Sequence, residues 1–342
     1  MKLLLICIFF SISFINSSLA NDVIFFIESA FKNNPKLKAE RENLNAVKEN
    51  INISRSDFFP SVTITGTLDS TESIDRTDHS GSNLPDINNN TATKSVSVEQ
   101  KIFQGFEGYN SLKKSKLEVE QANFKLKNVE QEIILKSIIA YYDLVYKYKS
   151  REFNYANLDL LERQVESDRA RLQRGEISLT DLSQSESSLA GANASFISAG
   201  NELLTAKTNF ERIIRTTVPE NIDSKTDFDV NLPKDLKECL SLSLKANPKL
   251  MSAMLDDKIA ERDIGIERSK LSPSASINYS KSQSDDFSAT VDEVEKESVK
   301  ATVTWPIIKG GKNYSSLRKA KFVGRKASRP HLLMRFVSSF IR

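Results

Sequence analysis

The string "NPKL" stands at residues 34–37 and again at 247–250. The offset of 213 between the copies also superposes Ile51 on Ile264, Ile53 on Ile266, Arg55 on Arg268, Ser56 on Ser269, Pro60 on Pro273 and Ser61 on Ser274. Further along, the offset becomes 205: "YNSLKKSKL" (109–117) lies on "YSSLRKAKF" (314–322), Gly105 on Gly310 and Val98 on Val303. The change falls in the polar segment between, which is longer in the first copy. A length change confined to a loop is how duplicated sequences drift apart. The chain is a tandem repeat, and the fold follows from reading one unit.

From Asp22 to Asn33, apolar residues recur at helical spacing, and "NNP" ends that helix because proline disfavours a helical residue before it. Pro35 suits the first turn of a second helix. That helix runs to about Phe58, with Leu37, Leu44, Val47 and Ile51 on one stripe, and Pro60 ends it. The period then changes from 3.6 to 2. In "SVTITGTLD" (61–69), Val62, Ile64 and Leu68 alternate with Thr63, Thr65 and Thr67. In "KSVSVEQ" (94–100), Val96 and Val98 stand opposite Ser95, Ser97 and Glu99. The stretch 70–93 between them is rich in Ser, Asn, Asp and Gly and reads as a long exposed loop. The second copy repeats the figure. Ala275, Ile277 and Tyr279 alternate with Ser276, Asn278 and Ser280, and Ala301, Val303 and Trp305 with Thr302 and Thr304.

After the second strand, "IFQGFEGYN" leads into a stretch without Pro or Gly from Tyr109 to Arg174. Leu126, Val129, Ile133, Ala140, Leu144 and Tyr148 mark a near-heptad stripe, with Lys and Glu filling other positions. As one helix it spans on the order of 100 Å. Gly175 breaks it within "RGEISLTDLSQSESSL" (174–189), where Ser178 or Thr180 can cap the returning helix, which ends near Arg215.

The first twenty residues, "MKLLLICIFFSISFINSSLA", have the charged start, apolar run and small-residue end of a secretory signal peptide. Removing it takes Cys7 and leaves Cys239 alone, so no internal disulfide staples the exported fold. No later segment approaches the roughly 20 apolar residues of a membrane helix. Charged residues make up 27% with net charge +3, and no basic patch with interleaved aromatics marks a nucleic-acid partner. Only two histidines occur, His79 and His331, and no Ser-His-Asp, metal-ligand or phosphate-loop spacing is present; the chain does not read as an enzyme.

Strands with one aliphatic and one hydroxyl face suit a barrel wall, apolar toward lipid and polar toward a lumen. A very long helix needs equally long neighbours. Four strands are too few to enclose a lumen, so several chains must each contribute to an exported β-barrel continued by a helical tube. The lipid-facing candidates are Val62, Ile64, Leu68, Val96, Val98, Ile277, Tyr279, Val303 and Trp305. Tyr279 and Trp305 read either as aromatics of the membrane interface or as ordinary strand packing. Pro60, Gly105, Pro273 and Gly310 mark the passages between strand and helix.

The chain resembles the TolC family of outer-membrane channels. The resemblance rests on "NPKL" at the first helix break, "FFPS" (58–61), "VEQKIFQGF" (98–106), "AYYDLV" (140–145) and "RGEISLTDLSQSESSL" (174–189). "LSPS" (271–274) and "VTWPIIKGG" (303–311) are the second copy. It implies an α+β fold, mainly long α-helices forming a periplasmic helical barrel continuous with a trimeric outer-membrane β-barrel, four strands from each chain and twelve in total. It further implies a homotrimer without cofactors, docked to a periplasmic adaptor (membrane fusion) protein and an inner-membrane transporter. Such an assembly is a passive conduit for drugs or proteins in tripartite efflux or type I secretion. In that family helix hairpins narrow the periplasmic end. The matching residues are Asp181 and Glu186 as acidic candidates, Arg174 as a tether, Thr180 beside them, and Gly175 permitting the reversal. Asp181 also reads simply as a first-turn acid favoured by the helix dipole. The 79–93 loop reads as a solvated, variable loop or as a phage or antibody target.

The expected organisation is a signal peptide at 1–20, a first repeat at 21–215, a linker at 216–235 and a second repeat at 236–327. The equivalent of Asp181 in the second repeat lies past the end of the 342-residue sequence, so that repeat is expected to stop before its hairpin. Residues 328–342, "SRPHLLMRFVSSFIR", with Pro330, no acidic residue and no helical stripe, read as an aberrant tail. The rival readings are a periplasmic coiled-coil adaptor or scaffold, and a non-functional fragment of a split gene.

Overall fold

The computed structural model describes residues 22–219, 233–288 and 291–341. The signal peptide and most of the expected linker lie outside them. The chain divides into two units, one of residues up to Arg41 with Leu126–Pro233, the other of Glu42–Lys125 with the residues from Lys234 onward.

The helices of the first unit are α1 (Asp22–Asn33), the opening of α2 (Pro35–Ser56), the later part of α3 (Glu107–Gln173) and α4 (Leu179–Ile214). The apolar stripes of α1, α3 and α4 meet in one core of Phe26, Ala30, Ile133, Tyr141, Leu144, Leu203, Ala206, Phe210 and Ile214. Phe26 and Phe210 pack edge to face at 5.1 Å between ring centres, and Tyr141 approaches Phe26 at 5.8 Å. Fully burying one such side chain contributes about 1.5–3 kcal/mol. Tyr148, expected on this stripe, is 42% exposed, while Tyr141 is fully buried. A straight helix drifts about 20° per heptad, so an extrapolated heptad stripe walks off the core.

The repeated "NPKL" is a helix-start device. The Asn34 side chain accepts from the Lys36 amide at 2.9 Å and donates to the Ile213 carbonyl at 3.4 Å. In the second unit Asn247 caps α6 (Pro248–Ser269) by accepting from the Lys249 and Leu250 amides. Asparagine supplies the acceptor and proline the missing amide of the first turn.

The second unit holds α5 (Leu236–Ala246), α6, α7 (Lys312–Ile341) and an antiparallel sheet in the order β1 (Ser61–Ser73), β4 (Ile87–Phe103), β5 (Ser274–Ser288), β6 (Val291–Thr304). Short β2 (Arg76–Thr77) and β3 (Asn83–Leu84) pair at the tip of the first hairpin. Val62 stands opposite Val98 on β1–β4, and Ala275 opposite Val303 on β5–β6. Offsets of 213 and 205 carry the first pair onto the second, so the duplication read from the sequence is present in the strand register. Buried polar pairs link the helices of this unit: Ser54 with Ser115 at 2.7 Å, and Gln121 donating to the Ser252 carbonyl at 3.2 Å.

One expectation is corrected. The polar stretch 70–93 is only partly loop, because β1 continues to Ser73 and β4 begins at Ile87. Ser, Thr and Asn on both faces leave no alternation to read, yet they pair across the ladder, as when Ser70 donates to Asn90 at 2.6 Å. The backbone from Lys312 is helical through Pro330 to Ile341. A proline removes one hydrogen bond and kinks a helix without ending it when the flanking residues are good helix formers.

Candidate functional site

Residues directly opposite in an antiparallel ladder share a face of the sheet. Val62, Val98, Tyr279 and Val299 form one such row, and Ile64 with Val96 the next; Leu68 with Ala92, Ile277 with Ala301 and Ala275 with Val303 belong to the same face. Eight of the nine lipid-facing candidates therefore lie on one side. Trp305, the ninth, stands just past the end of β6, where its indole donates to the Leu271 carbonyl at 3.2 Å. Val299 completes the apolar row and was not singled out, although its place four residues before Val303 was readable. Ile64 is 79% exposed, Leu68 87% and Val303 75%. A contiguous exposed face of this kind marks a surface meant for lipid or another protein. Toward the hairpin tips the same face turns charged, with Lys94, Glu295 and Glu297, Lys281 ion-paired to Glu295, and the Tyr279 hydroxyl donating to Glu297 at 2.9 Å.

The opposite face is polar. Thr63, Thr65 and Thr67 lie beside Ser97, Ser95 and Thr93, and then Ser280, Ser282 and Ser284. Hydroxyls bridge the strands directly, Thr93 with Ser284 and Ser280 with Ser298, each at 2.9 Å. The ionisable groups on this side include Asp69, Glu99, Lys296 and Lys300. Such a face binds water along its length and offers no enclosed, oriented set of catalytic groups.

At the passages from helix to strand, Pro60 and Pro273 immediately precede β1 and β5. Gly105 and Gly310 both sit in the left-handed region, at φ 59° and 54°. A Cβ on Gly105 would lie 2.6 Å from the Ser272 Cβ and 2.8 Å from the Ser269 carbonyl oxygen, so only glycine admits this approach. Lys101 on β4 ties the base of the sheet to Asp57 at 3.0 Å.

The α3–α4 hairpin of the first unit is built from local bonds. Gly175, at φ 74°, lets the chain reverse, and the Gly175 and Glu176 amides donate to the Leu172 and Arg171 carbonyls. Ser178 caps α4 in a reciprocal box with Asp181: the Ser178 hydroxyl takes the Asp181 amide, and the carboxylate takes the Ser178 amide at 2.9 Å and hydroxyl at 2.7 Å. Those bonds, the hydroxyl's foremost, hold the Asp181 carboxyl below the usual range. Arg174 pairs with Glu176 at 2.7 Å, and Glu186 with Arg169 of α3 at 2.8 Å. Thr180 is exposed in the first turn. All five hairpin candidates are thus brought into one short reversal, where the carboxylates are satisfied within the chain.

One group was missed. Asp168 is 5% exposed and accepts from Ser185 at 2.7 Å and Gln164 at 2.9 Å, with Arg171 at 3.5 Å. The Ser185 and Gln164 bonds hold its carboxyl below the usual range. The signal was a carboxylate one step past buried Val165 on the inward stripe of α3.

Residues 26–214 match the family described as outer membrane efflux protein. The chain is 24% identical over 293 residues to the outer membrane efflux protein BepC of Brucella suis biovar 1, covering 85% of this chain and 62% of that one. It is 24% identical over 268 residues to the outer membrane protein TolC of Escherichia coli K12, covering 77% of this chain and 52% of that protein. The chain therefore spans less than two thirds of the length of either relative. Among solved structures, the CmeC outer membrane channel of Campylobacter jejuni superposes with TM-score 0.76 at 14% identity, over 95% of this chain and 71% of that one. The outer-membrane channel OprN superposes with TM-score 0.73 at 17% identity, over 92% and 71% of the two chains.

Proposed function

The chain belongs to the outer membrane efflux protein family, and from that premise we propose that it is the wall-forming subunit of an outer-membrane conduit. Three copies contribute four strands each to a twelve-stranded barrel, whose helices continue into the periplasm. The observation that carries this reading is the sheet with a continuous aliphatic face, a hydroxyl-lined reverse face and, among the described residues, a strand at each end with one open edge. Lipid satisfies the first, water in a lumen the second, and neighbouring copies the third. No chemical step is required of the protein, in keeping with a family of efflux proteins rather than enzymes.

In this reading the α3–α4 hairpin lies at the periplasmic end, where Arg174, Gly175, Thr180, Asp181 and Glu186 shape the entrance. A periplasmic adaptor and an inner-membrane transporter deliver the cargo, drugs in tripartite efflux or proteins in type I secretion. A periplasmic scaffold would leave Val62, Ile64, Leu68 and Val303 in water, a cost that no partner among the described residues offsets.

The test is fractionation followed by conductance. The mature chain is expected in the outer membrane as an oligomer that dissociates on heating, and the purified oligomer is expected to open ion-conducting pores in planar bilayers. A soluble periplasmic monomer without conductance refutes the proposal.

A further inference from the structure

The hydroxyl face of the sheet also carries charges, and the strand register sorts them by row. One row runs Ser61, Glu99, Asn278, Lys300, so that lysine shares its row with a carboxylate. Two rows further toward the tips stand Thr65, Ser95, Ser282 and Lys296, where the ammonium of Lys296 is the sole charge. The adjoining rows of this face, from Thr63 to Ser298 and from Thr67 to Val294, carry none. In the sequence "EVEKES" (293–298) the lysine sits among glutamates and looks neutralised. The pleat separates them, because successive residues of a strand point to opposite faces. Glu295 and Glu297 lie on the aliphatic side, where they hold Lys281 and the Tyr279 hydroxyl. Lys296 is exposed and has no ion-pair partner among the described residues.

We propose that Lys296 is a selectivity residue of the conduit: three copies place three ammonium groups around one level of the lumen and favour the passage of anions there. This deepens the conduit reading above and rests on it. Rings of lysine or arginine are a means by which pores select anions. A passage lined by one sign of charge within low-dielectric walls focuses the field and concentrates the opposite ion. The barrel supplies such walls, since the reverse side of the sheet is aliphatic. Hydroxyls line the rest of this level; they solvate either ion and prefer neither, so the ammonium decides. The cargo favoured here is of net negative charge.

The other lysines of this face have carboxylates at hand. Lys101 is paired with Asp57 at 3.0 Å, and Lys300 shares its row with Glu99. Lys94 provides the contrast. It stands one row from Lys296 but on the aliphatic side, between Gly66 and Gln283. It therefore brings the same charge to nearly the same height without facing the lumen, and the two lysines separate an effect of the face from an effect of net charge.

The experiment is the reversal potential of pores formed by the mature full chain in planar bilayers across a potassium chloride gradient. At low salt Lys296→Gln is expected to lower the chloride-to-potassium permeability ratio about twofold, and Lys296→Glu to lower it further. The difference is expected to fade as salt rises, because the Debye length shrinks from about 30 Å at 0.01 M to about 3 Å at 1 M. Lys94→Gln is expected to leave the ratio unchanged. A ratio that neither Lys296 variant moves, or that Lys94→Gln lowers as much, overturns the assignment of Lys296 and leaves the conduit standing. Glutamine suits the same solvated position, so a Lys296→Gln chain that opens no pore while Lys94→Gln does refutes a role in selectivity alone. An unaltered chain that opens no pore overturns the selectivity and the functional reading together.

Discussion

The Ser185 hydroxyl on α4 donates to the buried Asp168 carboxylate on α3 at 2.7 Å, stitching the two helices together just inside their reversal. Removing the donor leaves a buried charge with fewer partners, which is costlier than losing an exposed bond. Because the folded carboxyl is held low, its contribution is present above the unfolded value of 3.8 and is lost as pH falls through the depressed one. Ser185→Ala is expected to move the Asp168 titration upward, followed by NMR, and to speed amide exchange in the first turns of α4. An unchanged titration would show that the hydroxyl does not hold the charge.

Gly105→Ala places a side chain in the left-handed region, at about 1–2 kcal/mol, and drives a Cβ into Ser272 and the Ser269 carbonyl. Gly310→Ala carries only the first of these costs in the unassembled chain. Urea unfolding in detergent should therefore rank Gly105→Ala as the more damaging.

Glu132 accepts from Lys136 and Lys36, each at 2.7 Å, and these bonds pull its carboxyl down from 4.5 to about 2. Its folded value is depressed, so the stabilisation is complete above pH about 4.5 and is lost between there and about 2. The group is a third exposed, which screens the pair and keeps the effect small. Glu132→Gln is expected to flatten the fall in unfolding free energy across that window, read by denaturant titrations at a series of pH values.

Val98 and Ser97 are neighbours on β4 that point to opposite faces. If the aliphatic face meets lipid as proposed, Val98→Lys puts a charge against hydrocarbon, costing about 2–4 kcal/mol at the bilayer midplane, whereas Ser97→Lys faces water. Folding into lipid vesicles should fail or weaken for the first and persist for the second. Equal tolerance of both would remove the assignment of faces.

Helix boundaries, the duplication and the aliphatic staves were legible because each rests on local chemistry: asparagine and proline at a helix start, glycine at a reversal, alternation in a strand. The upper parts of β1 and β4 were not, since Ser70, Thr71, Asn88 and Asn90 are polar on both faces and are held by pairing across the sheet. Asp168 was passed over because a carboxylate in a charged helix looks solvated until the partner helix supplies Ser185. Asp181 and Glu186 were legible as acids of the hairpin; that each is satisfied within one chain, by Ser178 and by Arg169, depends on geometry no spacing reveals.

Among the described residues the sheet begins and ends in a strand with one open edge, β1 on one side and β6 on the other. Hydrocarbon supplies no hydrogen bonds to those open amides, so a solitary subunit pays for partial insertion with nothing gained in return. On the proposed assembly, arrival in the bilayer becomes a many-body event, steeply sensitive to dilution, and the lipid itself acts as the inspector that admits closed rings and turns back lone subunits.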